Sequence, residues 1–148
     1  MELKFSTRTF AELNPFELYA YLQLRSEVFV VEQNCVYQDL DNKDQASYHV
    51  FAEQLDQLVA CARIVPSGLG YPEISIGRVI VAPAYRHQQI GHQLMSYCIS
   101  QIERRFGAQM IVLSAQAHLQ EFYKKHNFVP VGTTYLEDGI PHIHMIRK

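Results

Sequence analysis

Hydrophobic residues recur along the chain with two different periods, and these periods divide it into strands and helices. Short alternating or continuously apolar runs predict strands at 3–6, 48–55, 58–65, 74–81, 110–114, 131–136 and 140–146. Apolar residues at helical spacing predict one helix that begins at residue 15, a second that begins near residue 88, and a short third helix over 119–126. The predicted order of elements is β-α-β-β-β-α-β-α-β-β.

The ends of the predicted helices carry the residues that helix ends favour. Asn14 is suited to cap the first helix, Pro15 to occupy its first turn, and Glu17 to complete a capping box. Gly107 and Asn127 follow the second and third helices, and both tolerate the left-handed backbone of a helix stop. The second helix has one apolar face, formed by Ile90, Leu94, Cys98, Ile102 and Phe106.

Four further segments indicate how the elements connect. The run 110–114 is apolar throughout most of its length, which is typical of a parallel strand buried on both faces. Asp56-Gln57 and the segment 137–139 are short turns between adjacent strands and predict two hairpins. The polar segment 34–47 is a long loop, and long loops in compact domains are often functional. The pattern therefore predicts an α/β fold.

Composition and net charge favour some classes of protein over others. With 148 residues, 48% of them hydrophobic and 19% charged, the chain can bury a core, which predicts one domain over 1–148. The 13 basic and 15 acidic side chains give a net charge of −2, so we expect no nucleic-acid partner. We expect no membrane association either, because no apolar run has spanning length and no secretory signal is recognisable. Three widely separated cysteines fit a reduced, cytoplasmic protein.

The segment after the strand 74–81 is the best candidate for chemistry. Pro83 ends the strand, a basic turn with Arg86 follows, and a helix begins. The first N–H groups of a helix have no internal partner and carry partial positive charge, so this turn is suited to hold a diphosphate. Gly91 would let a bulky ligand approach the backbone. From these local features alone, an ordinary strand-turn-helix junction with an exposed arginine is an equally good interpretation.

Four motifs in this chain resemble those of the GNAT family of N-acyltransferases. The pattern Val-x-Pro-x-Tyr-Arg-x-x-x-Ile-Gly over 81–91 is similar to the family's acyl-CoA-binding motif. The segment 116–128 is similar to its second signature. The segments 24–33 and 138–143 narrow the resemblance to the ElaA-like branch. The resemblance covers nearly the whole chain.

The resemblance implies a specific fold and an acyl-CoA site. The fold is a mixed sheet of six to seven strands, flanked by helices and splayed between strands 4 and 5, with acetyl-CoA in the splay and no metal. Its pantetheine arm would bond to the backbone of Val79, Ile80 and Val81. The remaining cofactor-binding residues that the resemblance implies are Arg86, His87, Gln88, Gln89, Ile90, Gly91, His92, Gln116 and Phe122. Two of them depart from the family pattern, since Gln89 replaces a Gly and Gln116 replaces an Asn.

The resemblance also assigns a catalytic acid. The candidate for the general base is chosen instead by its position in the chain. Tyr123 falls where the family places the residue that protonates the leaving CoA thiolate; otherwise it is an aromatic that packs beside Phe122. An amine acceptor must also lose a proton, either to a general base or through a water relay. We expect Glu32 to take it, because Glu32 closes the first helix where the polar loop begins, although a solvent-exposed carboxylate is an equal alternative. His118 and His49 are the next candidates.

Two other pairs of polar residues have a structural and a functional interpretation. His142 and His144 lie on one face of a strand; we favour half-buried histidines or the lining of an acceptor site over a metal site, because no third ligand has suitable spacing. Arg63 and Arg78 lie within strands, where a charge must find a partner. We expect each to pair with a loop carboxylate rather than with an acidic substrate.

The sequence therefore predicts an enzyme that transfers an acetyl group from acetyl-CoA to a primary amine by direct attack in a ternary complex. The acceptor partner is a small molecule or a peptide amine, and a homodimer is left open. One alternative is a regulator that binds CoA without catalysis. Another, ranked last, is an enzyme similar to acyl-homoserine-lactone synthases, which share a related fold.

Overall fold

A computed structural model describes residues 2–148, and within them seven strands form one mixed sheet. The strands are β1 (Lys4–Thr9), β2 (Tyr48–Gln54), β3 (Gln57–Val65), β4 (Ile74–Val81), β5 (Ile111–Gln116), β6 (Val129–Glu137) and β7 (Ile140–Arg147). The helices are α1 (Pro15–Ser26), α2 (Ile90–Phe106) and α3 (Gln120–Lys124). The sheet order is β1-β2-β3-β4-β5-β7-β6, and the pair β4–β5 is parallel. The predicted fold class and element order are confirmed.

The first helix begins at the predicted capping box. The Asn14 side chain accepts from the N–H of Glu17 at 2.8 Å, and the Glu17 carboxylate accepts from the N–H of Asn14 at 3.0 Å. The hydrophobic pattern continues past the end of α1 into a π-helical segment, Glu27–Glu32. The hydrophobic pattern does not predict this change in winding, which widens the helix just before the polar loop.

The core has two parts, one on each face of the sheet. Helix α2 covers one face with the predicted apolar stripe, of which Phe106 is 38% exposed at the helix end. Helix α1 covers the other face over β2, β3 and β4. Cys61 and Cys98 are fully buried, as predicted, one in each part. In the part of the chain that the structure describes, no helix is long and apolar enough to span a membrane.

Both predicted hairpins form, but one turn lies a residue earlier than expected. Gln54 pairs with Gln57, so the turn residues are Leu55 and Asp56, with φ of 51° and 60°. A two-residue hairpin of this kind needs two left-handed residues, and here neither is glycine, which is why the turn was misplaced. At the other hairpin the segment 138–139 has φ of 51° and 78°, and the predicted turn there is confirmed.

The sheet opens between β4 and β5. Among the described residues these strands pair at two positions, Ile74 with Ile111 and Ser75 with Val112, and then separate. A bulge bends β4 beyond that point, where two of its residues face one residue of β3 and Arg78 has φ of 51°. The expected splay between strands 4 and 5 is therefore confirmed.

Candidate active site

A cavity of about 580 Å³ lies beside the splay. Its walls come from the segment 33–43, from both strands of the splay, and from α3 and β7. The polar and aromatic side chains of its lining include Tyr37, Arg63, Arg78, Gln116, Tyr123, Glu137 and His142. Val79 also lines the cavity, whereas Ile80 is 2% exposed and packs under α1. Side chains distant in sequence thus meet at one opening.

The two strand arginines pair with the polar loop, as predicted. Arg63 Nη1 donates to Asp41 at 2.8 Å and to Asp44 at 3.0 Å. Arg78 Nε donates to Asp39 at 2.6 Å. These ion pairs hold the loop 34–47 against β3 and β4, so the loop forms a fixed wall of the cavity.

A third arginine completes this network and was missed from the sequence. Arg25 of α1 is fully buried and donates to Asp39 at 2.9 Å and to Asp44 at 2.7 Å. Burial alone would raise the pKa of Asp44, but hydrogen bonds from Arg25 and Arg63 outweigh burial and lower it. On the helix, Arg25 lies among apolar neighbours, and a charged residue in such a position indicates a buried ion pair. This signal was available in the sequence.

The turn before α2 offers a row of free N–H groups. Gln93 N–H reaches the carbonyl of Gln89 at 3.2 Å, and within residues 2–148 the N–H groups of residues 87–92 donate to no protein acceptor. His87 and Gln89 have φ of 71° and 62°. Glycine adopts such angles freely, whereas glutamine adopts them only at an energetic cost. This explains why the family pattern that the chain resembles has Gly where this chain has Gln89. The row of donors itself does not depend on side chains.

The structure brings two predicted site residues, Glu32 and Arg86, together. The Arg86 guanidinium donates to both oxygens of Glu32, at 2.6 and 2.8 Å, and its Nε donates to the carbonyl of Val81 at 3.0 Å. The hydrogen bonds from Arg86 lower the pKa of Glu32. The pair therefore joins the end of the first helical segment to the turn before α2.

A side chain at the position of Gly91 would press against a neighbouring residue of the protein. A Cβ at this position would lie 3.1 Å from the Phe122 ring. That ring also packs on His92, with centroids 4.6 Å apart, and His92 Nδ1 lies 2.9 Å from His126 Nε2. Gly91, His92 and Phe122 thus form the contact between the start of α2 and α3, at the base of the row of N–H groups.

Tyr123 reaches the cavity from the helical side of the sheet. Its side chain is 7% exposed, and it packs edge-on against Phe122 and Phe128, with ring centroids 5.0 and 6.1 Å away. Burial raises its pKa, so the phenol keeps its proton at neutral pH. Tyr123 is therefore both a packed aromatic and a protonated group at the cavity.

The histidines that the sequence offered as candidate bases or site residues differ in their surroundings. Both ring nitrogens of His49 are used, by the Tyr21 hydroxyl at 2.9 Å and by the carbonyl of Asp44 at 2.8 Å. His118 does not line the cavity, whereas His142 does. His144 packs on Tyr71, with ring centroids 5.5 Å apart. Of these four histidines, His142 is the one that faces the cavity.

The profile of the acetyltransferase (GNAT) domain family matches residues 16–148. The chain belongs to the GNAT family. Protein ElaA of Escherichia coli (strain K12) is 47% identical over 140 residues, which are 93% of this chain and 92% of that protein. The crystal structure of Escherichia coli ElaA has a TM-score of 0.93 at 44% identity, over 99% of this chain and 100% of that one. The resemblance to the ElaA-like branch is thus confirmed.

Solved structures also confirm the GNAT acyl-CoA N-acyltransferase fold. A crystal structure of an acyl-CoA N-acyltransferase from Pseudomonas aeruginosa has a TM-score of 0.94 at 44% identity, covering 99% of this chain and 100% of that one. An aminoglycoside 6'-N-acetyltransferase complexed with coenzyme A shares the fold at 20% identity, with a TM-score of 0.72 over 96% of each chain.

Several kinds of polar group meet at the candidate site of this GNAT chain. In the described range 2–148, no three His, Cys, Asp or Glu side chains are grouped as a metal site requires. The site instead combines backbone donors at the turn before α2, a protonated phenol at Tyr123, and polar groups on β5 and β7. Such a set can bind an anion, orient an acyl group and move protons.

Proposed function

We propose that this chain is an acyl-CoA-dependent N-acyltransferase that moves an acetyl group from acetyl-CoA to a primary amine within a ternary complex. One observation carries the proposal: among the residues that the structure describes, the edge of β4 that faces β5 has no strand partner from Ile76 onward, and it borders the cavity that Tyr123 lines. An unpaired strand edge offers N–H and C=O groups to a ligand that itself carries amide groups. The pantetheine arm of CoA is such a ligand.

The residues present fit CoA at both of its polar parts. The backbone of Val79, Ile80 and Val81 lies on the opened strand and is suited to the pantetheine amides. The free N–H groups of residues 87–92, at the start of α2, are suited to the phosphates. Arg86 is engaged by Glu32, so the backbone donors and not the arginine are the main phosphate contacts in this proposal. The Gln116 amide, on the other side of the splay, completes the set.

Bound acetyl-CoA supplies the acyl group as a thioester. Backbone N–H groups of β4 would polarise its carbonyl. Tyr123 would then give a proton to the departing sulfur, since burial keeps the phenol protonated. A thiol is more acidic than a phenol, so this transfer relies on close positioning, which the packed ring provides.

The proton of the acceptor amine needs a base, and Glu32 stays a prediction in that role. Its pairing with Arg86 makes Glu32 a weaker base, because a carboxylate whose pKa is lowered holds a proton less readily. The acceptor in this proposal is a small molecule or a peptide amine that enters the cavity beside the loop 34–47.

The proposal is tested by binding and turnover together. Acetyl-CoA at a hundred times its dissociation constant adds about 2.7 kcal/mol to the free energy of unfolding. For a chain of this size we expect the melting temperature to rise by about 5–11 °C, with no such rise for ATP. Acetyl transfer is then measured on a lysine-containing peptide, an aliphatic diamine and an aminoglycoside.

Tyr123→Phe separates chemistry from binding. We expect this variant to keep the melting shift while acetyl transfer falls by about 100-fold or more. Tyr19→Phe, a change at an exposed tyrosine of α1, is the matched control and should behave as wild type. A melting shift without transfer to any amine would favour a CoA-binding regulator, and no shift with saturating acetyl-CoA would refute the proposal.

A further inference from the structure

His142 is a buried histidine on the cavity wall whose two ring nitrogens have different surroundings. Its side chain is 9% exposed. Nδ1 lies 2.7 Å from the carbonyl oxygen of Ile140, which can only accept, so the neutral ring carries its proton on Nδ1. Nε2 then keeps its lone pair. It lies 3.5 Å from a carboxylate oxygen of Glu137, which can pair with the ring once the ring is charged.

Neighbouring groups fix the position of this ring. The Tyr135 ring stacks on it with centroids 6.3 Å apart and 24° between the planes. Ser114 contacts the Tyr135 hydroxyl at 2.5 Å and donates to Glu137 at 3.3 Å. A ring held by packing and by one backbone hydrogen bond keeps its free nitrogen in one direction, as proton transfer requires.

The register of the sheet sets His142 beside the opening. His142 of β7 is paired with Gln116, the last residue of β5. Alternate residues of these strands face opposite sides, so His142, Gln116 and Ser114 share one face while Leu113 and Ile143 belong to the core under α2. Tyr123 belongs to that core and reaches the cavity from its side. The cavity thus has a histidine on one wall and a phenol on another.

We propose that His142 is the general base that takes the proton from the acceptor amine, and this proposal rests on the proposed acyl transfer. The acceptor enters as an ammonium and gives one proton to Nε2 of His142. The nitrogen lone pair forms the C–N bond, and the C–S bond breaks. Tyr123 gives its proton to the sulfur, and the second proton that the nitrogen loses in becoming an amide restores the Tyr123 phenol. His142 returns its proton to solvent, so the net products are the amide, CoA thiol and one proton.

This assignment differs from the one based on sequence alone. Glu32 is held by two hydrogen bonds from Arg86 and does not line the cavity. His142 lines it, and the neutral ring with its proton on Nδ1 leaves Nε2 unprotonated. The His142 assignment needed the pairing of β5 with β7 and the contact with Ile140, neither of which a linear motif contains.

The decisive experiment compares His142→Gln with Glu32→Gln, using acetyl-CoA and whichever of the three test amines the wild type acetylates. We expect His142→Gln to lower kcat by about 100-fold or more near neutral pH. The loss should shrink as pH rises, because the amine then arrives already deprotonated. The melting shift with acetyl-CoA should persist, and His144→Gln, on the same face of the same strand, should remain close to wild type.

A second readout does not depend on turnover. Long-range proton–nitrogen NMR correlations of the free protein, assigned with His142→Gln, report which ring nitrogen carries the proton; we expect Nδ1. A proton on Nε2 of the neutral ring would overturn the proposal. An active wild type with an active His142→Gln and an inactive Glu32→Gln would overturn it too, while leaving the proposed function intact. A wild type that acetylates none of the amines would instead count against the proposed function and, with it, the base.

Discussion

At the scale of single residues, Gly91 lies where the start of α2 meets the ring of Phe122. Replacing its hydrogen by a methyl group puts that group 3.1 Å from the ring, which must give way. Alanine is also the better helix former, by up to about 1 kcal/mol. The two effects oppose each other, and overpacking of a filled contact usually costs about 1–3 kcal/mol.

We therefore expect Gly91→Ala to lower the free energy of unfolding in the natural sequence. In a Phe122→Leu background, which removes the ring, the same change should raise it. Urea unfolding of the four proteins measures both effects as a double-mutant cycle. An equal effect of Gly91→Ala in both backgrounds would mean that the ring does not decide the residue at this position.

The roles of residues around the turn before α2 could be predicted where a local motif carries them. The segment 81–91 pointed to Gly91 and the turn before α2, because the strand, the turn and the helix are contiguous in the chain. The partners of those residues were not predictable in this way. Arg86 and Glu32 are 54 positions apart, and the hydrogen bonds between them depend on how a π-helical segment ends.

At the scale of elements, the loop 34–47 owes its fixed position to charges that it buries. Asp44 pairs with both Arg25 and Arg63, whose side chains are 0% and 5% exposed. Removing one partner from a buried ion pair leaves an uncompensated charge, which typically costs about 3–5 kcal/mol. A pair at the surface contributes far less, because water screens it.

Asp44→Asn should therefore lower the free energy of unfolding by about 3–5 kcal/mol, measured in urea at neutral pH. Glu121→Gln, which breaks the exposed pair with Lys124, is the control and should change it little. A similar effect of the two substitutions would show that the loop is not held by its charges.

The same contacts predict how acid acts on the loop. The pKa of Asp44 lies below its ordinary value of 3.8 in the folded chain, so the folded state favours the ionised form. The stabilisation is complete above that ordinary value and is lost as pH falls below it. We expect unfolding experiments to show a steeper loss of stability below about pH 4 for wild type than for Asp44→Asn.

The strands and helices were predictable from the spacing of hydrophobic residues along the chain, whereas their irregularities were not. All seven strands and three helices were expected, because the apolar residues of each recur with the period of a strand or a helix, and this holds even for β6, which is exposed along its length. The turn at Leu55 and Asp56 was misplaced by one residue, since its left-handed angles are imposed by the pairing of the flanking strands. The bulge at Arg78 was not expected for the same reason, although it shapes the cleft.

At the scale of the whole molecule, the sheet consists of two parts joined at two residue pairs, Ile74 with Ile111 and Ser75 with Val112. We expect hydrogen exchange of residues 76–92 to slow when acetyl-CoA is added, because a ligand in the splay would take up N–H groups there. The hairpin of β2 and β3 should be unaffected, and ATP should protect neither region. Protection confined to other parts of the sheet would refute a ligand in the splay.

The unpaired edge of β4 also has a consequence for the lifetime of the protein. A ligand that binds only the folded chain raises the free energy of unfolding as its concentration rises, and degradation in cells follows the unfolded fraction. If acetyl-CoA takes the place of the missing strand contacts, the molecule lasts longest when that metabolite is plentiful. Its abundance would then follow the supply of acetyl groups, with no regulator other than the gap in its own sheet.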